Sequence, residues 1–299
     1  MIDTTTFETH RAHLRNIAYR MLGEMAAAED VVQEAWLRWR RTDGEDIRDP
    51  RAWLSAATVR LSLDALRKVR ARRESYVGPW LPEPLLPDDT RAFAADAPAA
   101  RAELASDLSL ALLHVLERLA PEERAALILH DAFDCDYAEI AAMLDKNETA
   151  CRKLVSRARE RVKADRPRFT ASKEAHRDLL MRFAQASSSS DPQEMMALLA
   201  PDAIAYTDGG GRAAAALNPI YGPDKIARFI TGLGRKFYAN VALDSSMTEI
   251  NGQPALVIRD GKELLGVFTI ETDGEKITTL YGLRNPDKLA RFMRAFEVS

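Results

Sequence analysis

Cationic side chains recur along residues 147–168 at spacings that place them on the outside of a helix. The segment carries eight lysines and arginines against three acids, a local balance of +5. Four apolar residues at i, i+4, i+7 and i+11 would form the buried stripe of that helix: Cys151, Val155, Ala158 and Val162. Because guanidinium and ammonium groups bind phosphates and the O6 and N7 atoms of guanine, the segment is predicted to bind DNA. An ordinary solvated amphipathic helix is the alternative interpretation.

The preceding residues complete a helix-turn-helix pattern. Residues 137–144 have helical periodicity, residues 145–147 favour a tight polar turn, and Asn147 suits the N-cap of the second helix. In such a motif the start of the second helix enters the major groove. Arg152 and Lys153 are therefore predicted to contact bases, and the cations farther along the helix to contact phosphates.

A second basic helix is predicted over residues 50–73. The segment holds seven cations and one acid, a balance of +6. Its apolar residues Leu54, Ala57, Leu61 and Ala65 share one helical face. Two separated basic helices indicate two contacts with one nucleic acid, and a solvated helix end is the alternative.

The composition limits the classes of protein to which the chain can belong. Its 299 residues carry a formal net charge of −3, so any nucleic-acid surface must be local. The length favours about two domains. No apolar run approaches the roughly 18 residues of a membrane span, and the N-terminus lacks the pattern of a secretory signal, so a cytoplasmic protein is expected. Cys135 and Cys151 are expected to be reduced core thiols.

Residues 75–103 contain five prolines and are predicted to form a linker between folded domains. Proline removes an amide donor and disfavours helix in the residue before it. The linker also contains Tyr76, Trp80 and Leu81, which make it too apolar for a solvated tether. We therefore expect it to dock in a groove on a folded domain.

After the second basic segment the pattern changes from helical to mixed. Two helical segments, residues 173–186 and 192–199, precede runs with the alternation of strands. Asp-Gly pairs at 260–261 and 273–274 have the sequence of hairpin turns. These patterns indicate a separate α+β domain, and the serine run at 187–190 is predicted to be a loop.

The α+β tail holds few groups suited to catalysis. His176 is its single histidine, and Tyr206 with Asp208 is the one hydroxyl and carboxylate pair beside a flexible loop. No nucleophile and base constellation is recognisable, so the protein is predicted not to be an enzyme and to need no cofactor. His10 and His13 lack carboxylate or cysteine companions and are not expected to bind a metal.

Residues 7–166 resemble the bacterial extracytoplasmic-function sigma factors of RNA polymerase. The segment AEDVVQEAWLR is similar to the core-binding helix of sigma region two, DALRKVRARR to its promoter-melting helix, and the helix-turn-helix to region four. The resemblance implies that Asp30, Gln33 and Glu34 contact the polymerase clamp. It also implies that residues 42–49 receive an unstacked base of the minus-ten element.

The same resemblance implies two sets of DNA-contacting residues. The set in the promoter-melting helix comprises Arg67, Lys68, Arg70, Arg72 and Arg73. The set at the minus-thirty-five element comprises Thr149, Arg152, Lys153, Ser156 and Arg157.

Three further motifs resemble a subgroup of these sigma factors with a C-terminal SnoaL-like domain, a cone of curved sheet and helices over a pocket. They are WLPEP in the linker, DGGGR at 208–212 and NPDKL at 285–289. The resemblance implies that the tail regulates the sigma domains in cis. Because an apolar, proline-stiffened linker needs a surface to cover it and a glycine loop allows close backbone approach, the tail is expected to hold the linker through the loop at 208–212. The residues expected in that contact are Trp80, Leu81, Pro82, Glu83, Pro84, Asp208, Gly209, Gly210, Gly211 and Arg212. A flexible turn without a contact, or docking of the loop on region two, is the alternative.

The chain is therefore expected to contain an all-α region-two domain at 1–74, a docked linker at 75–103, an all-α region-four domain at 104–168 and an α+β SnoaL-like domain at 169–299. Its expected function is that of a sigma factor that binds core RNA polymerase, recognises and melts promoter DNA, and is regulated in cis. A ligand-sensing DNA-binding regulator that does not engage polymerase is the alternative. Core polymerase and promoter DNA are the expected partners, no membrane is expected, and a small-molecule ligand in the C-terminal domain is left open.

Overall fold

The described part of the chain falls into two compact units. A helical unit comprises Met1–Ser75 and Pro87–Arg166, and an α+β unit comprises Tyr76–Leu86 and Pro167–Ser299. The structure, a computed structural model, describes residues 4–42, 47–73, 76–95, 108–165, 172–189, 191–238, 241 and 243–297. Linker residues Tyr76–Leu86 belong to the C-terminal unit, which agrees with the expectation that they dock on a folded domain.

The first half of the helical unit is a bundle of α1 (Thr4–Leu22), α2 (Met25–Arg41) and α3 (Pro50–Arg73). α1 ends where Gly23 adopts a left-handed conformation with φ 71°, which glycine adopts readily just after a helix. The bundle encloses an apolar cluster that includes Phe7, Leu14, Val32, Trp39 and Leu54. The helical prediction for this part of the chain is confirmed.

A short helix, α4 (Pro87–Ala95), lies within the segment predicted to be a linker. Pro87 begins the helix, where its missing amide would have had no helical partner, and two acids in the first turn complement the helix dipole. The proline content gave no indication of this helix. α4 lies on α1, where Asn16 Nδ2 donates to the Phe93 carbonyl at 3.3 Å.

The second half of the helical unit contains the four predicted helices among its described residues. They are α5 (Leu110–Leu116), α6 (Pro121–Leu127), α7 (Tyr137–Leu144) and α8 (Glu148–Asp165), with a π-helical turn at Ile128–Ala132. Asn147 caps α8 as predicted, because its Oδ1 accepts from the Ala150 amide at 2.8 Å. α7, the turn and α8 form the predicted helix-turn-helix.

The α+β unit contains helices and strands in mixed order. Its helices are α9 (Lys173–Ser189), α10 (Pro192–Leu198), α11 (Pro223–Phe237) and α12 (Pro286–Glu297). Its strands are β1 (Leu199–Asp208), β2 (Ile220–Tyr221), β3 (Leu243–Ile250), β4 (Gln253–Asp260), β5 (Glu263–Thr272) and β6 (Ile277–Leu283).

These strands form one sheet in the order β2-β1-β6-β5-β4-β3. β1 and β6 run parallel, and the other neighbouring strands run antiparallel. Helices α9, α10 and α11 pack their apolar residues against the sheet in one cluster that includes Leu180, Phe183, Met195, Ile226 and Leu256. The α+β class and both Asp-Gly hairpins are confirmed.

The predictions for this unit were wrong at one point and missed four elements. Ser187–Ser189 belong to α9 rather than to a loop, because their hydroxyls bond carbonyls of the preceding turn, as Ser187 Oγ does to Phe183 O at 2.8 Å. α11, α12, β2 and β3 were not predicted. β3 is largely exposed and lacks the apolar alternation of a half-buried strand.

Candidate nucleic-acid interface and linker clamp

The residues expected at the minus-thirty-five element lie on the exposed side of α8. The apolar stripe is buried as predicted, since Cys151, Val155, Ala158 and Val162 are each less than a tenth exposed. Exposed on the helix are Thr149, Arg152, Lys153, Ser156 and Arg157. The start of α8 therefore has the surface that a groove-reading helix needs.

Neighbouring side chains hold Arg152 near the start of α8. Its Nη2 donates to Glu148 Oε2 at 3.0 Å, and its guanidinium carbon lies 5.1 Å from the centroid of the Tyr137 ring. An arginine fixed in this way loses less side-chain entropy when it binds a base or a phosphate.

Two cations farther along α8 bind acids inside the helical unit. Arg159 Nε donates to Asp131 Oδ2 at 2.9 Å, and Arg161 Nη1 donates to Glu123 Oε2 at 2.6 Å. Both acids are buried. The hydrogen bond with Asp131 raises the pKa of Arg159. The side chains of Arg159 and Arg161 are nevertheless 50% and 56% exposed, so phosphate contact stays a prediction for them, as it does for the exposed Lys163.

The cationic end of α3 is described in part. Arg67 and Lys68 are exposed, and Arg67 pairs with Asp64 at 3.2 Å and with Glu122 at 3.8 Å. Exposed pairs of this kind contribute at most about 1 kcal/mol, so they yield readily to a phosphate. Outside the described residues lie the side chains of Arg70, Arg72 and Arg73.

The residues expected to contact polymerase lie on the outer side of α2. Asp30 and Gln33 are exposed and Glu34 is half-buried, whereas the opposite side of the helix packs in the bundle. The Glu34 carboxylate lies 3.4 Å from Nε of Arg38, one turn farther along. Of the loop predicted to receive an unstacked base, residues 43–46 lie outside the described residues.

Arg60 joins the two halves of the helical unit. It extends from α3 and donates through Nε to the Met143 carbonyl at 3.1 Å and through Nη2 to the Ala142 carbonyl at 2.8 Å. Both carbonyls belong to the last turn of α7, where they lack helical partners and the helix dipole is negative. Arg60 therefore caps the first helix of the helix-turn-helix.

A buried arginine makes a second connection between the two halves. Arg124 on α6 is 1% exposed and donates to the Arg20 carbonyl through Nε at 3.0 Å and through Nη2 at 2.8 Å. Its Nη1 bonds Glu117. Burial lowers the pKa of Arg124 to about 9. Because a buried guanidinium is costly unless its donors are satisfied, these bonds tie α6 to the end of α1.

Asp208 is the centre of the contact between the linker and the C-terminal domain. Its Oδ2 accepts from the Leu81 amide at 2.9 Å, and its Oδ1 accepts from the Tyr76 hydroxyl at 2.5 Å. Lys288 Nζ lies 2.7 Å from Oδ2 and also donates to the Leu81 carbonyl. One buried ion pair thus holds both main-chain polar groups of Leu81. We term Asp208, Lys288, Tyr76 and Leu81 the linker clamp.

The three motifs of the C-terminal subgroup meet at the linker clamp. Lys288 Nζ lies 4.0 Å from the centroid of the Trp80 ring, a cation–π distance. Asn285 Nδ2 donates to the Tyr76 hydroxyl at 2.8 Å. Trp80 comes from WLPEP, Asp208 from DGGGR, and Asn285 with Lys288 from NPDKL.

The linker has further attachments beyond the clamp. The Leu85 amide donates to Asn251 Oδ1 at 2.9 Å, and the Asn251 amide donates to the Leu85 carbonyl at 3.2 Å. Glu83 lies 3.6 Å from Arg291 of α12. Buried along this stretch are Leu81, Pro82, Glu83, Pro84 and Leu85. The linker is therefore fixed from Tyr76 to Leu85.

The glycines of the 208–212 loop permit close approach of neighbouring chain segments. Gly210 and Gly211 have φ of 59° and 72°, which other residues rarely adopt. A Cβ on Gly210 would lie 2.3 Å from Nδ2 of Asn285, and one on Gly211 would lie 3.2 Å from Cβ of Val77. Arg212 pairs with Asp287 at the surface.

Known families match both halves of the helical unit. The family Sigma-70 region 2 matches residues 6–73, and the family Sigma-70, region 4 matches residues 109–162. The ECF RNA polymerase sigma factor SigJ of Mycobacterium tuberculosis is 38% identical over 295 residues, which cover 96% of this chain and 93% of SigJ. The chain belongs to the extracytoplasmic-function (ECF) sigma factors.

The likeness of this ECF sigma factor to its relatives includes the C-terminal domain. The probable ECF RNA polymerase sigma factor SigI of Mycobacterium tuberculosis is 30% identical over 288 residues, which cover 96% of this chain and 94% of SigI. The crystal structure of the Mycobacterium tuberculosis extracytoplasmic function sigma factor SigJ matches with a TM-score of 0.71 at 34% identity, covering 96% of this chain and 98% of that one. The predicted family and its succession of helical and α+β domains are confirmed.

Several residues that hold the linker of this ECF sigma factor were not predicted as contacts. Tyr76 was noted only for its apolar ring, Asn251 was not singled out, and Lys288 was part of a motif without a role. No local spacing indicates these contacts, because their partners are far apart in sequence. The apolar, proline-rich segment indicated docking, and the 208–212 loop was expected as its partner, but neither signal pointed to Tyr76, Asn251 or Lys288 as contacts.

The described residues hold no group of three or more His, Cys, Asp and Glu side chains that could bind a metal ion. His13 lies in the bundle core, where its Nε2 is 3.2 Å from Ser55 Oγ. Among the described helices, none is both long and apolar enough to cross a membrane.

Proposed function

We propose that this ECF sigma factor binds core RNA polymerase through α2, recognises and melts promoter DNA through α8 and α3, and is regulated in cis through the linker clamp. Because its proposed partners are core polymerase and promoter DNA, we place it in the cytoplasm, and we propose no catalytic activity of its own. The proposal of regulation in cis rests on the buried ion pair of Asp208 and Lys288, which holds the Leu81 backbone.

The helical unit holds its two DNA-binding helices too close together for a promoter. Elements at minus ten and minus thirty-five are centred about 25 base pairs apart, which at 3.4 Å per base pair is about 85 Å. α3 has 24 residues and is about 36 Å long. Since Arg60 in α3 bonds the last turn of α7, α3 and α8 lie much closer than that. The two halves must therefore separate before both elements are bound.

The linker clamp opposes this separation. The linker is the chain segment between region two and region four, and Tyr76–Leu86 of it belong to the α+β unit. A segment fixed along its length cannot adjust its span, whereas a free one extends to about 3.3–3.6 Å per residue. Tethering also keeps the clamp residues at an effective concentration on the order of millimolar. The docked linker is thus the resting state, and promoter binding requires its release.

Promoter-dependent transcription with core polymerase tests this proposal. The full-length protein is compared with Trp80→Ala, with Gly210→Asp, and with a variant ending at Leu283 that lacks Lys288. Each change weakens the hold on the linker and should raise transcription. A variant ending at Arg168 lacks the whole C-terminal domain. If the domain only restrains the linker, this variant should also transcribe more than the full-length protein. If the domain also supports the open complex, its transcription should fall again. Equal transcription by all five proteins excludes cis regulation.

A ligand-sensing regulator that binds DNA without polymerase is the second candidate function. An apolar cavity in the α+β domain supports ligand sensing, whether or not the protein engages polymerase. Co-purification separates the two candidates, because a sigma factor remains bound to core polymerase through a sizing column. A protein that binds promoter DNA but elutes apart from core polymerase would favour the second candidate.

A further inference from the structure

The α+β domain encloses an apolar cavity that the proposed sigma function does not use. The cavity measures about 190 Å³ and lies between α9, α11 and the sheet. Its lining includes Leu180, Phe183, Phe229, Ile230, Leu256 and Phe268. A dry cavity of about 150 Å³ binds benzene. This cavity therefore has room for a six-membered ring or a branched chain of similar size.

One wall of the cavity carries a buried cation. Arg284 directly follows β6, is 8% exposed and lines the cavity together with Tyr238. Its Nε donates to the Leu265 carbonyl at 3.2 Å, and its Nη1 and Nη2 bond the Ala214 carbonyl and the Tyr238 hydroxyl. All three partners are neutral. In the described part of the chain, no carboxylate forms an ion pair with Arg284.

The hydrogen bonds that Arg284 and Tyr238 make within the protein leave N–H and O–H donors for a ligand. A guanidinium has five N–H groups, and the bonds just described use three of those on Arg284. The Tyr238 oxygen accepts from Arg284, so its own proton is left to donate. A buried cation that faces only dipoles gains most from an anion, and the planar fork of arginine matches a carboxylate.

We propose that this cavity binds a small apolar carboxylate. The ring or branched chain of the ligand fills the apolar part, and its carboxylate accepts from Arg284 and Tyr238. Burial of the apolar part supplies affinity, whereas the charge-assisted bonds select an acid over a neutral analogue.

The chain segments that line the cavity continue into the linker clamp. Thr207 lines the cavity and the next residue, Asp208, holds the linker, while Arg284 lines the cavity and the next residue, Asn285, bonds Tyr76. The Arg284 amide also donates to the Asp208 carbonyl at 2.7 Å. A ligand that shifts Arg284 therefore moves the clamp, and ligand binding and linker release become coupled. This coupling rests on the proposed function, whereas ligand binding itself does not.

Ligand-detected NMR titration of the full-length protein tests the binding site directly. The probes are benzoate and 3-methylbutyrate, each beside its primary amide, which has nearly the same shape without the charge. The acids should bind about tenfold more tightly than their amides. Arg284→Gln should abolish this preference, and Tyr238→Phe should reduce it.

Gly234→Leu provides a variant that leaves the arginine in place. Gly234 lines the cavity from α11, and an added Cβ meets no atom within 4 Å, so a leucine should fill the cavity and abolish binding of both acids. Gly232→Leu is the matched control, because it lies on the same helix in equally open space and should bind the acids as the wild type does. Equal affinity for acids and amides, unchanged binding by Gly234→Leu, or no binding of either acid would overturn the proposal. The titration contains no polymerase, so its failure is distinct from failure of the linker clamp.

Discussion

Lys288 Nζ lies 2.7 Å from Oδ2 of Asp208, and the two side chains are 7% and 0% exposed. Neither charge is hydrated in that position, so each depends on the other and on the Leu81 backbone for compensation. Removing one partner of such a buried pair typically costs about 3–5 kcal/mol, because the other charge is left buried. The pair explains why a proline-rich segment packs as part of the C-terminal domain.

Lys288→Met should destabilise the α+β unit by about 3 kcal/mol and speed proteolysis within Tyr76–Leu86. The reason is that the Asp208 carboxylate stays buried without its cation while the Leu81 carbonyl loses its donor. Thermal unfolding and limited proteolysis of the full chain measure both effects. Asp224→Asn, which breaks the exposed pair with Arg228 at 2.9 Å, is the control and should change stability by less than about 1 kcal/mol. Equal effects of the two substitutions would rule out a buried clamp.

Arg60→Ala should loosen the packing between the two halves of the helical unit. It removes both hydrogen bonds to the last turn of α7. Small-angle scattering of the free protein should show a larger radius of gyration. Arg177→Ala removes an exposed cation from α9 and serves as the control for charge. An unchanged radius for Arg60→Ala would mean that this arginine does not hold the halves together.

Arg152→Ala and Lys163→Ala should have different effects on DNA binding, the first on sequence preference and the second on overall affinity. Arg152 lies near the start of α8 and is predicted to read bases, so its loss should relax sequence preference by roughly 1–3 kcal/mol at one position. Lys163 lies near the end of the helix, so its loss should weaken binding to all sequences and reduce the salt dependence. A binding selection with the holoenzyme measures both. An equal loss of affinity for all DNA sequences in both variants would contradict the assignment of base contact to Arg152 and phosphate contact to Lys163.

Joint reversal of Asp30 and Glu34 to lysine should weaken the complex with core polymerase and leave the fold intact. Asp30 is exposed and Glu34 is half-buried, so the substitutions disturb little packing. Co-purification with core polymerase measures the complex, and circular dichroism checks the helices. Glu174→Lys, on the exposed side of α9, is the control for added charge. Retention equal to the wild type would remove the polymerase contact from α2.

His176 should make the α+β unit less stable in acid. It is 6% exposed, its Nε2 has no hydrogen-bond partner, and burial lowers its pKa to about 4. Between about pH 6.5 and 4 the unfolded chain binds a proton that the folded chain does not, so the free energy of unfolding falls as the pH falls, by at most about 3 kcal/mol. His176→Leu should flatten this dependence in urea unfolding at pH 7, 5.5 and 4.5. An identical pH dependence in the variant would assign the effect to other groups.

Local patterns in the sequence account for most of the helices and strands. The apolar stripe of α8 and the Asn147 cap both follow from spacing within one or two turns, and the Asp-Gly hairpins follow from turn chemistry. β3 was missed because an exposed edge strand carries little apolar alternation. α4 was not predicted because a proline that begins a helix and a proline that interrupts one look alike in composition.

The linker clamp and the buried arginine depend on contacts between distant parts of the chain. Asp208 and Lys288 are 80 residues apart, and Tyr76 and Asn285 are 209 residues apart. Arg124 is 104 residues from the carbonyl that it binds. No periodicity or spacing connects residues at such separations, so the sequence indicated a docked linker through its motifs but not the ion pair that holds it.

A reversible covalent lock on the linker tests whether transcription requires release of the linker. A Cβ on residue 211 would lie 3.2 Å from Cβ of Val77, close to the separation of about 3.5–4.5 Å found in disulfides. The variant with both Val77→Cys and Gly211→Cys is assayed oxidised and reduced, with core polymerase and one cognate promoter, beside the wild type treated identically. We expect the oxidised variant to support far less transcription than the reduced variant, with no such difference for the wild type. Equal transcription by the oxidised and reduced variant, with the cross-link verified by gel mobility, would contradict regulation through linker release.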